Sequence, residues 1–480
     1  MVFQPVLYVI GYLLSALSII LCIPAGVDAF YGDNQWQSFT FASLISLFFG
    51  IILILANKSD DLSINLKQAF LLTTLSWVFI AIFGSLPFIF SDLELSFTDA
   101  LFESMSGITT TGSTVLSGLD NLPHGILIWR SLLQWIGGIG IVVIAIAFLP
   151  ILKVGGMQLF HTEASDSSQK VLPRAGQIAS IIGIIYASLT ILCALLLWLF
   201  GMPTFDSIAH SMTTLATGGF STSDMSIAKY NNANIEFIIC IFMILGSLPF
   251  VLYLQTLRGN VSAIFKDNQV QLFILLIVTS VLIVTFWKYQ NTASFFNNFR
   301  SSFFNTISIF TGTGYTTQNF NNWGSFITIL FLFLMLVGGC AGSTTCGIKI
   351  FRLQILYQTA KIQIFKLLNP HGVSVAKYNK IPVSEAITSS VMGYFFMFIV
   401  SYVLITLILS FLGNDFLTSL SGAATSLANV GPGLGNVIGP TKTFAGLSDT
   451  TKWVLIIGML TGRLELLSVI ILLTPSFWKN

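Results

Sequence analysis

Ten long apolar runs separated by more polar connections make up about half of the 480-residue chain. A bilayer's hydrocarbon core takes about 20 apolar residues per helix. Runs of that order stand at 5–26, 37–56, 68–91, 125–150, 177–201, 234–257, 270–288, 323–350, 385–412 and 452–474. The first is expected to stay as a span rather than be removed as a signal peptide, because it is too long, lacks a basic start and is followed at once by a second span.

Four of the connections are more than loops. After the third, fifth, seventh and ninth runs the chain carries FTDALFESMSGITTTGSTV from Phe97, FDSIAHSMTTLATGGFSTSD from Phe205, FFNTISIFTGTGYTTQNF from Phe303 and FLTSLSGAATSLANVGPGLGNV from Phe416. Each is a moderately apolar stretch, too short to span and of re-entrant length, followed by a Gly/Thr/Ser-rich segment. Aligning Gly112, Gly219, Gly314 and Gly431 gives spacings of 107, 95 and 117 residues, a quasi-regular internal period. The pattern predicts an all-α polytopic membrane protein: two N-terminal spans (1–58) and four repeats of helix, short pore helix, loop and helix (59–155, 156–260, 261–365 and 366–480), in pseudo-fourfold arrangement around one pore.

Irregular backbone at membrane depth is tolerated only inside protein or against a water-filled cavity, since lipid offers its N–H and C=O groups no partners. Four such loops around one axis would turn carbonyl oxygens on a common point, helped by glycine's freedom and by threonine hydroxyls. The short helices would add the partial negative charge of their C-terminal ends. A dehydrated monovalent cation requires such surroundings. The expected cation ligands are Thr110, Thr111 and Gly112, then Thr217, Gly218 and Gly219, then Gly312, Thr313 and Gly314, and finally Asn429, Val430 and Gly431. Close helix packing is the bland explanation for a single Gly/Thr string; four strings at matched positions argue against it.

Composition narrows the class. Only 8% of residues are charged and 54% are hydrophobic, against about 25% charged in soluble proteins, and mean hydropathy is +0.86. A water-soluble globule is excluded. The net charge of +2 and the lack of a basic run give no reason to expect nucleic-acid binding. Cys22, Cys193, Cys240, Cys340 and Cys346 form no zinc or redox pattern and read as small core residues. With the N-terminus inside, fourteen Lys/Arg fall on the cytoplasmic side, Lys349 and Arg352 among them, and six outside, Arg130 and Lys452 among them, which predicts cytoplasmic termini; the acids Asp99 and Glu103 are likewise assigned to the outer connections. Acids gather on the outer connections, either as a cation-attracting mouth or as ordinary solvated loop charge.

The loops TTTGST, ATGGFST, TGTGYTT and NVGPGLG, with GGCAGSTTCGIK at Gly338–Lys349 and GRLELLSVIILLTPSFW at Gly462–Trp478, closely resemble bacterial potassium-uptake subunits of the TrkH type, within the Trk/Ktr/HKT superfamily. The resemblance covers essentially the whole chain. It implies K+ as the transported ion with no organic cofactor, a bacterial inner-membrane location, a homodimer surrounded by lipid, and a cytosolic TrkA-type nucleotide-binding ring as regulator. It also implies one filter glycine per repeat, and a glycine rather than a serine in the first loop favours potassium. Only Gly314-Tyr315 approaches the GYG of potassium channels; Ser113, Phe220 and Pro432 stand at the equivalent positions, and selectivity over sodium is expected to be looser.

Two further features point to a gate. Gly338, Gly339, Gly342 and Gly347, with Ser343, Thr344 and Thr345, interrupt the eighth run, each glycine opposing a helix by about 1 kcal/mol relative to alanine. They are expected to form a flexible loop below the filter, or else a kink in a packing helix. Arg463 lies inside the last run, where an arginine costs about 2.5–3.5 kcal/mol on insertion scales. Glu465, two positions away, does not share its helical face, so Arg463 is expected to reach the interrupted loop or the pore axis rather than form a local ion pair. The basic connection 352–381 reads as a membrane-surface helix or a docking surface. A proton- or sodium-coupled symporter is the alternative, weakened by the near absence of other ionisable groups from the runs. An enzyme would call for clustered acid–base residues, and His124, His161, His210 and His371 are dispersed.

Overall fold

The computed structural model describes residues 3–58, 65–147, 171–291, 294–372, 374–379 and 381–479. Lys153, His161, Lys170, Lys380, the end of the fourth run at 148–150 and the expected boundary at 155/156 lie outside them. Helices α1 (Gln4–Tyr31) and α2 (Trp36–Ala56) form the N-terminal hairpin. They approach closely because Gly11 faces Gly50: a Cβ on Gly11 would lie 2.8 Å from the Gly50 carbonyl oxygen, small residues being what lets membrane helices come together. Ser43 Oγ donates to the Ser18 carbonyl across the pair (2.7 Å).

The first repeat is α3 (Leu66–Phe90), short α4 (Phe97–Ile108) and α5 (His124–Ala147). The second is α6 (Val171–Leu199), short α7 (Thr204–Leu215), α8 (Ala233–Gly246) and α9 (Phe250–Leu257), followed by α10 (Ser262–Lys266). The third is α11 (Asn268–Asn291), α12 (Phe295–Phe310), α13 (Ser325–Leu336) and α14 (Ile350–Leu368), with a two-stranded hairpin, β1 (Lys377–Tyr378) and β2 (Ile381–Pro382), behind it. The fourth is α15 (Glu385–Phe411), α16 (Phe416–Ala428), α17 (Gly435–Ile438), α18 (Asp449–Arg463), α19 (Leu467–Leu473) and α20 (Pro475–Trp478). The short helices α4, α7, α12 and α16 are largely buried at the centre, whereas the long helices around them, α5 excepted, leave most of their apolar surface outward.

Three of the ten expected spans are not straight helices. Among the described residues seven helices are long and apolar enough to cross a bilayer, and two bent pairs raise the number to nine. The sixth run bends by 91° between α8 and α9, at Ser247-Leu248-Pro249, where proline withholds a backbone donor. The last bends by 117° after Arg463, where Glu465 and Leu466 take positive φ (+59° and +39°). Arg463 therefore sits at a break, not midway along a straight helix. The eighth run is helical only over α13; helix resumes at Ile350, at the end of the expected span. The α12 helix, with 16 residues, is longer than its counterparts.

Candidate cation pathway

Three of the four short helices begin with an arrangement suited to an N-terminus, α12 being the exception. Ser96 Oγ accepts from the Asp99 N–H (3.1 Å) and Asp415 Oδ2 from the Thr418 N–H (3.2 Å), while Asp206 occupies the first turn of α7. Acidic groups there complement the helix dipole. At the other end all four repeats make the same closing bond. The backbone N–H groups of Thr111, Gly218, Thr313 and Val430 donate to the carbonyls of Ser106, Thr213, Ser308 and Thr425, at 2.9, 2.9, 2.9 and 3.1 Å.

The loops that follow share an unusual backbone. Thr110, Thr217, Gly312 and Asn429 have φ of +52°, +51°, +71° and +53°, and two residues on, Gly112, Gly219, Gly314 and Gly431 have +85°, +77°, +83° and +110°. The glycines also have no room for a side chain. A Cβ on Gly112 would collide with the Gly218 carbonyl, one on Gly219 with that of Thr313 and one on Gly314 with that of Val430; on Gly431 it would lie 2.9 Å from the Thr111 carbonyl. Each glycine thus abuts the residue that precedes the next glycine, and the fourth loop returns to the first. The four loops close into a ring with one sense of rotation.

The ring opens on one side into a cavity of about 370 Å³, lined by Gly112, Gly219, Gly314 and Gly431 together with Ser113, Phe220, Thr316 and Pro432. Tyr315 faces away. It is fully buried, and its hydroxyl is hydrogen-bonded to those of Thr213 and Thr214. Asn429 Nδ2 donates to Thr111 Oγ1 (2.8 Å) and to the Met459 carbonyl (3.0 Å), tying the fourth loop to the first and to α18. No residue of Thr110–Gly112, Thr217–Gly219, Gly312–Gly314 or Asn429–Gly431 has an ionisable side chain, so the oxygens the ring offers are neutral.

Several supporting residues escaped the sequence reading. Gln134 of α5 donates to the Gly218 carbonyl (2.6 Å) and accepts from the Phe220 N–H (3.0 Å). Glu103 and Arg130, read as outer-loop charges, are buried and paired (2.7 Å). Glu103 also accepts from Thr114 Oγ1 and the Val115 N–H, and Arg130 donates to the Ser221 carbonyl (2.8 Å) while lying over the Phe220 ring. The pair braces the first two loops from behind. Lys452 and Asp99, also assigned to outer connections, pair at 2.6 Å with the lysine buried. The signals were a lone Gln and isolated charges in apolar context, but partners so far apart in the chain are not readable from either. Farther out, burial raises the Asp120 pKa, but hydrogen bonds from Lys229 and Ser223, Lys229's charge and the Asp224 N–H outweigh it. The carboxyl stays below its ordinary 3.8.

The segment 338–347, expected to form a flexible loop or a kink in a packing helix, is densely tied by hydrogen bonds. Gly338, Gly339, Gly342, Ser343, Thr344, Thr345 and Gly347 are all buried. The Gly338 N–H donates to Ile348, Gly339 to Thr345 Oγ1, Cys340 to Ser247, Thr344 to Gly246 and Ile350 to Gly339, all at 3.0–3.1 Å. Burial demands these bonds, since an unpaired backbone group away from water is costly. The hydroxyls of Thr344 and Thr217 share a hydrogen bond (3.1 Å), joining this loop to the second loop of the ring.

Arg463 reaches the loop. It donates to the Thr344 carbonyl and Cys346 Sγ (both 2.9 Å) and to the Gly137 carbonyl of α5 (2.7 Å). Glu465 pairs not with Arg463 but with Arg352, whose guanidinium also lies over Tyr394. Lys349 donates to Thr345. Lys349 and Arg352, counted from sequence as cytoplasmic loop charges, are buried at 6% and 0% exposure. The interior is thus richer in charge than the hydropathy pattern indicated, because each cation is neutralised or held by carbonyls from distant segments. Between this loop and Arg463 a space of about 10 Å³ remains, about one water-sized probe.

Comparison with known proteins places the whole assembly. The cation transport protein family designated TrkH matches residues 35–479. The Trk system potassium uptake protein TrkI of Halomonas elongata is 44% identical over 477 residues, 99% of this chain and 97% of that protein. TrkH of Salmonella typhimurium is 37% identical over the full length of both. The crystal structure of the potassium transporter TrkH from Vibrio parahaemolyticus superposes with a TM-score of 0.93 at 36% identity, covering both chains completely. With the family matched over nearly all its length, the chain belongs to the TrkH family of cation transport proteins.

Proposed function

We propose that this chain takes up potassium through the axis of the loop ring. Dehydrated K+ is held by oxygens of Thr110–Gly112, Thr217–Gly219, Gly312–Gly314 and Asn429–Gly431, and the segment 338–347 with Arg463 forms the gate beneath. The observation that carries this is the closed ring of four glycine-bearing loops opening into an outer cavity. Neutral oxygens replace the hydration shell of a monovalent cation, and the membrane potential drives entry at about 2.3 kcal/mol per charge per 100 mV. Arg463, on the inner side of the ring, opposes an exiting cation until the loop moves. The termini lie in the cytoplasm of a bacterial inner membrane, the assembly is a homodimer, and a cytosolic TrkA-type nucleotide-binding ring acts on the gate from that side.

The test is ion flux into liposomes bearing the purified chain, comparing K+, Rb+, Na+ and Li+. K+ and Rb+ are expected to enter faster than Na+ and Li+; equal entry of all four defeats the potassium filter. Running the assay with and without a proton or sodium gradient separates this reading from a coupled symporter, whose K+ flux would follow the gradient.

A further inference from the structure

Below the gate loop, α11 and α14 diverge and leave an open groove of about 1020 Å³. Its floor is apolar, built from Leu272, Leu275 and Leu276 of α11 and Leu353, Ile362 and Phe365 of α14. Its lip is polar and carries Lys361 and Lys377 beside Tyr357 and Gln358. Neither lysine has an ion-pair partner among the described residues. Leu275 stands seven residues into α11, so at 1.5 Å per residue the apolar floor extends about 10 Å from that helix end into the bilayer. Farther along α14, Ile364, Leu367 and Leu368 are exposed at 61%, 82% and 75% beside Lys366, the pattern of a helix lying in the interface. Gln354 also lines the groove. Its Nε2 donates to the Asn268 carbonyl (2.7 Å), while its buried Oε1 accepts from nothing among the described residues.

We propose that this groove binds one anionic phospholipid of the leaflet on the basic side of the protein. The acyl chains lie along the α11 leucines, and the phosphate meets Lys361 and Lys377. A charged lip over an apolar floor at the interface matches a phospholipid in both polarity and depth, and basic pockets between spans on the cytoplasmic side favour anionic headgroups. The assignment of that side as cytoplasmic rests on the orientation proposed above.

The test is native mass spectrometry of the detergent-solubilised full chain with added phosphatidylglycerol or phosphatidylcholine. Phosphatidylglycerol is expected to bind more tightly. The double variant Lys361→Gln/Lys377→Gln is expected to weaken it roughly 30-fold, about 1 kcal/mol per lysine, with phosphatidylcholine unaffected. Leu275→Trp, which fills the floor without altering charge, is expected to displace the same lipid. Equal retention of the two lipids, or wild-type phosphatidylglycerol binding by both variants, overturns the proposal. So does a disulfide between two copies carrying Lys361→Cys in native membranes, which would assign the groove to a second protomer. No ion flux is read, so this result and that of the transport assay stand apart.

Discussion

Replacing Arg463 by alanine removes a side chain that joins α18, α5 and the intramembrane loop. Its guanidinium donates three hydrogen bonds, to the Thr344 and Gly137 carbonyls and to Cys346 Sγ, and lies over the Trp77 ring. Two of them hold the loop. A hydrogen bond from a charged donor contributes about 1.5–3 kcal/mol, and thioether and thiol sulfurs are weak acceptors, so the attachment of the loop through Arg463 is about 2 kcal/mol. Removing it should shift the closed-to-open equilibrium by roughly 30-fold, at 1.4 kcal/mol per factor of ten. Loss of the buried charge adds to the effect by lowering the barrier to a cation on the axis. The assay is single-channel recording in planar bilayers, where open probability at fixed voltage is expected to rise and unitary current to increase. Arg463→Lys, which keeps the charge but not the planar fork, should fall between wild type and Arg463→Ala in open probability. The orphaned Thr344 carbonyl lowers stability by about 1–3 kcal/mol, so size-exclusion profiles accompany the recordings. Unchanged open probability and current in a folded Arg463→Ala protein would refute a gating role.

Other perturbations probe the ring and its supports. Gly219→Ala places a Cβ against the Thr313 carbonyl at a residue with φ of +77°, costing about 1–2 kcal/mol from backbone conformation alone; the K+/Na+ permeability ratio from reversal potentials is expected to fall, and an unaltered ratio would exclude close loop contact at that point. Glu103→Ala leaves Arg130 buried without its carboxylate and should lower stability by about 3–5 kcal/mol, read as a reduced thermal midpoint in detergent, which Glu103→Ala/Arg130→Met is expected to recover in part. Asp120, partly exposed to solvent, is held below its ordinary 3.8, so in the unfolded chain it takes up protons first as pH falls. Its stabilising contribution is complete above that value and lost as pH drops through the folded-state pKa; the difference in thermal midpoint between wild type and Asp120→Asn should therefore be larger at neutral pH than at about pH 3.

How legible the protein was depends on whether a feature is local. Gly112, Gly219, Gly314 and Gly431 were found by repetition alone, because each needs positive φ and lacks space for a Cβ for reasons repeated in every copy. Gln134 was invisible: a single glutamine in an apolar run says nothing of the Gly218 carbonyl 84 residues away. Lys349, Arg352 and Arg130 were misread as loop charges because hydropathy counts a cation without knowing its partner. Arg463 stood out for the same reason in reverse, its cost in lipid being evident without a partner in view. The glycine-rich interruption correctly forecast a departure from helix, yet two of the bonds that tie it in place go to Ser247 and Gly246 of the preceding repeat, which no property of the loop itself reveals.

By itself the sequence determined the membrane class, the fourfold repetition and the glycines, since span length and backbone conformation are properties of short stretches. Only the tertiary structure decided the order of loops around the ring, the bends at Ser247–Pro249 and after Arg463, and the neutralisation of the buried charges. Those depend on contacts such as Asn429 with Thr111 and Arg463 with Gly137, 318 and 326 residues apart. In a membrane interior every helix is similarly apolar, so hydrophobicity does not choose neighbours; close packing and the need to satisfy each buried polar group do.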